Sequence, residues 1–300
     1  MHFKLDQILR DKQVEVAAAK KARNIGDLKK MIQDTPPLRS FRDAIAGEFG
    51  VIAEIKRRSP SMGEMRSENF EQAPGVYARS PIVKAISVIT DSANFGMNLE
   101  YLLQVKAVAR QPVLRKDFIE SDYGVYQARA FGADAILLMA SVLATRDKGQ
   151  RLMDLAGEYG MDVLYEAHTK EELDRIPDGV KIYGINSRDF MGKWRRNNWV
   201  KRFRKIISMP DFSTHLTAFS LINHIPKDAI KVAESGISAG KIGEVVKLGY
   251  NAALIGTSLL QSTDGVQSAI SEFEKALLPF PTQPAHGTYK KSPVSESVGY

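Results

Sequence analysis

Charged side chains at the ends of apolar runs are the first sign of chemistry in this sequence. In Val51–Ser61, VIAEIKRRSPS, an apolar run leads directly into Glu54, Lys56, Ser59 and Ser61. Strand alternation places Glu54 and Lys56 on the same side. Burying a carboxylate and an ammonium costs several kcal/mol each unless they are paired or used. Such a strand end is either a structural ion pair or a seat of proton transfer.

The anomaly recurs. A third apolar run ends in Arg115, Lys116 and Asp117; a fifth carries Glu166; a sixth ends in Asn186, followed by Arg188. A seventh ends in Glu234, Ser235 and Gly236, and an eighth carries Gly256, Thr257 and Ser258. Clustered lysines and glutamates supply proton donors and acceptors whose roles can alternate. Small residues at the last two ends let backbone N–H groups approach an anion, and a following helix adds its N-terminal dipole. Gly236, Gly256 and Thr257 are therefore candidates for a phosphate cradle, with Ser59 closing it from the first run.

The elements that must position these groups are legible in the spacing. Eight short runs rich in β-branched residues occur: Val51–Lys56, Ala85–Thr90, Pro112–Phe118, Ala135–Ala140, Asp162–Ala167, Ile182–Asn186, Lys231–Ile237 and Ala252–Leu260. Amphipathic stretches such as Leu99–Arg110, Tyr123–Phe131 and Lys241–Leu248 separate them. Alternating βα units of this number predict an α/β chain folded as a closed (β/α)8 TIM barrel, with chemistry at the C-terminal strand ends. An open doubly wound sheet is the alternative, and no G-x-G-x-x-G follows any run to support it.

Composition narrows the function class. The chain has 300 residues, 44% hydrophobic and 26% charged, with no cysteine. Disulfides and thiolate catalysis or metal sites are excluded, and the five histidines show no ligand spacing, so neither metal nor cofactor is expected. No apolar run is long enough to span a bilayer and the N-terminus lacks a signal-peptide core; cytoplasmic residence is the simplest expectation. The net charge of +7 is local, because 191–209 (MGKWRRNNWVKRFRKIISM) holds seven Lys/Arg and no acid. Without that segment the chain is neutral, so nucleic acid is not an expected partner. Residues 1–47 read as an N-terminal helical extension, with an apolar stripe of Leu5, Ile8, Leu9, Val14 and Val16. Residues 48–280 read as the barrel, and 281–300, rich in Pro, Ser and Lys, as a disordered tail.

Particular segments identify the family. AEIKRRSPS (53–61), SVITD (87–91), PVLRKDF (112–118), GADAILLMA (132–140), GMDVLYEAH (160–168), GINSRD (184–189), ESGI (234–237) and LIGTSLL (254–260) resemble indole-3-glycerol phosphate synthase, in order and spacing, over roughly residues 3–278. The resemblance implies ring closure, decarboxylation and dehydration of 1-(2-carboxyphenylamino)-1-deoxyribulose 5-phosphate, a phosphorylated small molecule, without cofactor or metal. It implies a monomer with a single activity, since the tail is too short for the isomerase domain some family members carry. By matching motifs, Lys116 resembles the general acid and Lys56 the lysine that meets the anthranilate carboxylate. Glu166 resembles the carboxylate that exchanges protons in dehydration, and Glu54 the one that holds and tunes the lysines, Lys116 above all. Asn186, Arg188, Glu234 and Ser235 match polar pocket positions; Phe95, Phe118 and Leu137 match the walls around the aromatic ring. Ser59, Gly236, Gly256 and Thr257 match the phosphate cradle.

Two departures stand out. Met97 and Asn98 occupy positions where family members usually have Gly-Ser. The insertion at about 191–209 lengthens the loop after the sixth run, at the expected catalytic mouth. It reads in three ways: a solvated basic excursion, a lid adding positive charge over an anionic substrate, or a docking segment for an anionic partner. A different class of function also stays open, a non-catalytic phosphate-binding barrel acting as a scaffold through that insertion.

Overall fold

The computed structural model describes residues 5–188 and 216–280. The basic insertion and the 281–300 tail lie outside the described residues, so the expectations placed on them are not addressed by it.

Three helices precede the first barrel strand: α1 (Leu5–Ala22), α2 (Ile25–Gln33) and α3 (Phe41–Ala46). The buried stripe of α1 is Leu5, Ile8 and Lys12, while Val14 is 71% exposed. The expected continuation of the stripe through Val14 is thus wrong: helical spacing from Ile8 leads to Lys12, whose burial its anionic partners permit. A reciprocal cap starts α2, with Asn24 Oδ1 accepting from the Asp27 N–H and Asp27 accepting from the Asn24 N–H, both at 3.1 Å.

Eight barrel strands follow among the described residues: β1 (Gly50–Ile55), β2 (Val83–Ile89), β3 (Val113–Lys116), β4 (Ala135–Met139), β5 (Asp162–Ala167), β6 (Ile182–Asn186), β7 (Ile230–Glu234) and β8 (Ala252–Ile255). Each pairs in parallel with its sequence neighbours, and β8 pairs with β1 to close the barrel. The crossovers carry α4 (Ser67–Arg79), α5 (Ser92–Phe95), α6 (Glu100–Val108), α7 (Asp122–Ala130), α8 (Arg146–Glu158), α9 (Lys170–Leu173), a 3-10 helix (Leu216–His224) and α10 (Ala239–Lys247), and α11 (Thr257–Leu260) and α12 (Val266–Leu277) follow β8. The barrel and all eight expected strands are present. Three C-terminal ends stop two or more residues short of expectation, the seventh at Glu234. The eighth strand stops at Ile255, and Thr257–Leu260 is a helical turn that buries Leu259 and Leu260. The third stops at Lys116.

Packing divides the strands by parity. Ile52, Ala85, Leu114, Ala135, Leu137, Leu164, Ile182, Val232 and Leu254 fill the barrel interior. Phe41 and Ile45 of α3 join that interior cluster. The alternate residues, among them Val51, Ala53, Val113, Ile136, Tyr165 and Ala233, belong to the larger layer between strands and helices. Following the interior stripes toward the C-terminal ends, apolar side chains give way to polar ones. Two residues beyond Ile52 is Glu54, beyond Leu114 is Lys116, beyond Leu164 is Glu166, and beyond Val232 is Glu234. Period-2 geometry therefore delivers these four side chains to one mouth.

Candidate active site

Lys116 stands at the centre of the mouth. Its Nζ donates to Glu166 Oε2 at 3.0 Å and to Glu234 Oε2 at 2.9 Å. The lysine side chain is 16% exposed, the carboxylates 0% and 1%. Burial opposes the ammonium, but Glu166, Glu234 and Glu54 outweigh it and hold Lys116 protonated well above the ordinary lysine range.

The two carboxylates reach each other over β6. Gly184 lies between them in that strand, and a Cβ there would come within 2.1 Å of Glu234 Oε1. A side chain at 184 would fill the space the Glu234 carboxylate occupies. Two buried acids side by side separate in acidity. Burial, and then the negative field of Glu166, push Glu234 up to about 8 despite Lys116. Burial also opposes ionisation of Glu166, but Lys116 and His168 overcome it and keep that carboxyl below its usual range.

A second pair lies beside the first. Lys56 Nζ donates to Glu54 Oε1 at 2.6 Å, and both side chains are 6% exposed. The i,i+2 spacing on one strand face makes this contact local, which corrects the expectation that Glu54 chiefly serves Lys116: Glu166 and Glu234 hold that lysine, and Glu54 acts on it only through its field. At Lys56 desolvation outweighs the attraction of Glu54, so the pKa falls. Glu54 feels Lys56, Lys116 and Arg188 together, which outweigh its burial and keep it ionised. Gly256 makes room for it, because a Cβ there would approach Glu54 Oε1 to 2.4 Å.

Other expected site residues fall around this centre. Asn186 is buried, and its Oδ1 accepts from the Arg188 N–H at 3.0 Å. Arg188 Nη1 donates to Ser61 Oγ at 3.1 Å, and Ser61 Oγ lies 3.1 Å from that of buried Ser59, so the loops after β1 and β6 are tied together. Ser235 has φ 71°, the one non-glycine with positive φ among the described residues, and Gly236 follows at 69°. Its carbonyl accepts from Ser187 Oγ at 2.9 Å. Such strained backbone collects at functional loops. Thr257 opens the single turn of α11 directly after Gly256.

Leu137 lies in the barrel interior and Phe118 packs against that cluster from the loop after β3. Phe118 also lines a cleft of about 320 Å³ beside α1. Phe95, buried at the end of α5, is outside the interior cluster. Met97 is buried in the outer layer while Asn98 is exposed, so the Met97 side chain is spent on packing.

Not every polar strand end points into the mouth. Arg115 and Asp117 have the opposite parity to Lys116 and build a separate cluster. Asp117 accepts from Arg115 at 2.7 Å, from Thr90 at 2.7 Å and from Lys12 of α1 at 2.8 Å. The expected convergence of all polar ends on one mouth is corrected there by strand alternation. Sequence reasoning also missed Gly184, whose signal was a glycine inside a strand. It missed His168 and Glu172 as well, whose signal was Thr169-x-x-Glu172, a helix-start pattern.

Comparisons with known proteins point to one family. A sequence model of the indole-3-glycerol phosphate synthase family matches residues 5–194. The indole-3-glycerol phosphate synthase of Clostridium acetobutylicum is 34% identical over 276 residues, covering 90% of this chain and 97% of that protein. That of Alkaliphilus metalliredigens is 36% identical over 278 residues, covering 91% and 98%. Among solved structures, 3-hexulose-6-phosphate synthase from Salmonella typhimurium aligns with TM-score 0.54 at 10% identity, covering 77% of this chain and 99% of that one, a likeness of fold. With matches of this length and identity, the chain belongs to the indole-3-glycerol phosphate synthase family.

Proposed function

We propose that this chain is a carbon–carbon lyase that forms indole-3-glycerol phosphate from 1-(2-carboxyphenylamino)-1-deoxyribulose 5-phosphate, and that the barrel mouth carries every proton transfer. The observation that carries the reading is Lys116 held between two buried carboxylates of unlike acidity. In ring closure, the ring carbon bearing the carboxylate attacks the ketone carbon, and the carbonyl oxygen needs a proton as charge develops on it. Lys116, kept charged and partly open to the mouth, is suited to donate it. Loss of CO2 returns the bonding electrons to the ring. Dehydration then needs one group to take a proton and another to deliver one to the departing hydroxyl. Glu166, ionised, and Glu234, protonated to about pH 8, suit those two roles.

Lys56 is suited to meet the substrate carboxylate, with Glu54 fixing its position, and Asn186, Arg188 and Ser235 supply polar contacts. Phe118 and Leu137, with Phe95 at the end of α5, suit the aromatic ring. Ser59, Gly236, Gly256 and Thr257 suit the phosphate, which holds the reacting atoms in register from the far end.

The test is direct. Purified protein is supplied with the carboxyphenylamino-deoxyribulose phosphate and indole fluorescence is followed, with Lys116→Ala as control. Fluorescence growth that the control lacks is expected. No growth with the wild-type chain, or undiminished growth with the variant, overturns the proposal.

A further inference from the structure

Lys116 cannot distinguish its two carboxylates by distance, since it lies 3.0 Å from one and 2.9 Å from the other. Something else must decide which of them holds a proton. His168, the residue after β5, lies against Glu166 of the pair. Its Nε2 lies 3.4 Å from Glu166 Oε1. Its Nδ1 lies 3.1 Å from Glu172 Oε2, and its backbone N–H donates to the same oxygen at 2.7 Å.

Glu172 is placed there by the start of α9. Thr169 caps the helix by accepting from the Glu172 N–H at 3.2 Å, and the Glu172 side chain returns to His168. It is fully buried, and the imidazole is 10% exposed. Both ring nitrogens thus face carboxylate oxygens. A neutral imidazole has one N–H, and would leave its other nitrogen lone pair against a carboxylate. The imidazolium instead sets a cation against both carboxylates, in hydrogen-bond contact with Glu172 and 3.4 Å from Glu166 without a hydrogen bond.

We propose that His168, clamped as an imidazolium between Glu172 and Glu166, is a positioning residue that keeps Glu166 ionised and so assigns the shared proton of the mouth to Glu234. The inference rests on the catalytic reading above and supplies what that reading lacks, a cause for the division of roles. The carboxylates facing the ring come from three elements: Glu166 from β5, Glu172 from α9 and Glu234 from β7. Burial disfavours the charged ring, but the Glu172 hydrogen bond and the fields of all three carboxylates outweigh it, so the His168 pKa rises. Removing a cation this close raises a carboxyl pKa by about one unit or more.

Two measurements test it. The first is the ring 15N spectrum of His168 across pH 6–9 in the unliganded full chain, compared with Glu172→Gln. Two protonated ring nitrogens at neutral pH, and a titration moved to lower pH in Glu172→Gln, are expected. A neutral ring at pH 7 overturns the proposal. The second is the pH profile of kcat in His168→Asn and Glu172→Gln. Both are expected to move the acidic limb up by about one unit with KM little changed, because Glu166 then protonates more easily. Variants that lose only thermal stability, or scale kcat equally at every pH, overturn it. If the wild-type chain fails to turn over the substrate, the catalytic reading falls, and the 15N measurement alone then decides the charge of His168. A His168→Asn chain that does not fold leaves Glu172→Gln to decide.

Discussion

Two charged clusters meet across three consecutive residues, Arg115, Lys116 and Asp117, and they are built on opposite rules. The outer one is closed. Arg115 donates to Thr90, Gly124, Gln127 and Asp117, and Asp117 accepts from Lys12, Thr90, Arg115 and the Phe118 N–H. The inner one is open. Glu166 Oε1 and Glu234 Oε1 are buried without a hydrogen-bond donor among the described residues, apart from the 3.4 Å approach of His168 to Glu166. The same residue types on the same strand thus build a closed network on one side and an open one on the other. Satisfaction of the polar atoms tells them apart. A saturated network locks its geometry, whereas unfilled acceptors next to a partly exposed ammonium leave room for a substrate and its protons.

Breaking the inner cluster should have the largest functional effect. Lys116→Ala is expected to lower kcat by about 10²–10⁴-fold, the typical contribution of a positioned acid. Removing the ammonium also leaves Glu166 and Glu234 buried without their shared cation, which lowers stability, so kcat is to be measured well below the variant's unfolding transition. A variant that loses activity only by unfolding would make Lys116 a structural residue and dissolve the distinction.

The outer cluster predicts the converse. Asp117→Asn leaves Lys12 and Arg115 buried beside a neutral amide, and removing one partner of such a network costs about 3–5 kcal/mol. Thermal unfolding should shift down by roughly 5–15 °C, with kcat measured well below the transition changed far less than in Lys116→Ala. The N-terminal helix α1 should loosen with it, read as faster amide exchange over Leu5–Ala22. An unchanged melting temperature would show that Lys12 and Asp117 are not the clamp between α1 and the barrel.

Acidity sharpens the contrast. In the outer cluster burial is outweighed by Lys12 and Arg115, so the Asp117 pKa is depressed. Its stabilisation is present above the ordinary carboxylate range and is lost only as pH falls below it. In the inner cluster Glu234 is raised to about 8. The stability linked to its bound proton is present below the ordinary carboxylate pKa and drains away as pH rises toward 8. Between those limits stability should therefore fall with rising pH, and kcat should lose its alkaline side near pH 8. Glu234→Gln should flatten the first trend and remove that limb of the second. A stability profile with the same slope in both proteins would place the shared proton elsewhere.

How much of this was readable beforehand follows from the period of a strand. Eight runs and their spacing carried the barrel, and Glu54, Lys116, Glu166 and Glu234 could be found because each is polar where the interior stripe should be apolar. Parity was equally available for Arg115 and Asp117, yet chain adjacency to Lys116 drew them into the mouth. Lys12 was not legible, because a lysine on a helix reads as solvated until the partner that buries it, more than a hundred residues away, is known. The Glu54–Lys56 contact was legible as an i,i+2 pair on one strand face; that Glu166 and Glu234 hold Lys116 was not, because it depends on cross-barrel distances that no local pattern encodes.

The smallest expected effects concern the glycines of the two environments. In the mouth Gly184 and Gly256 act as absences, holding open the volumes that the Glu234 and Glu54 carboxylates fill. Gly184→Ala must displace the Glu234 carboxylate, because a Cβ at 2.1 Å from its oxygen cannot be accommodated. Misplacement on that scale should lower kcat by roughly 10–10²-fold. Gly157, exposed in α8 with no atom within 4 Å of a built Cβ, has no such duty. Gly157→Ala should raise stability by up to about 1 kcal/mol through helix propensity alone and leave kcat untouched. If Gly184→Ala behaved like Gly157→Ala, the two carboxylates would not need to meet over β6, and the inner cluster would lose the contact on which its division of acid and base depends.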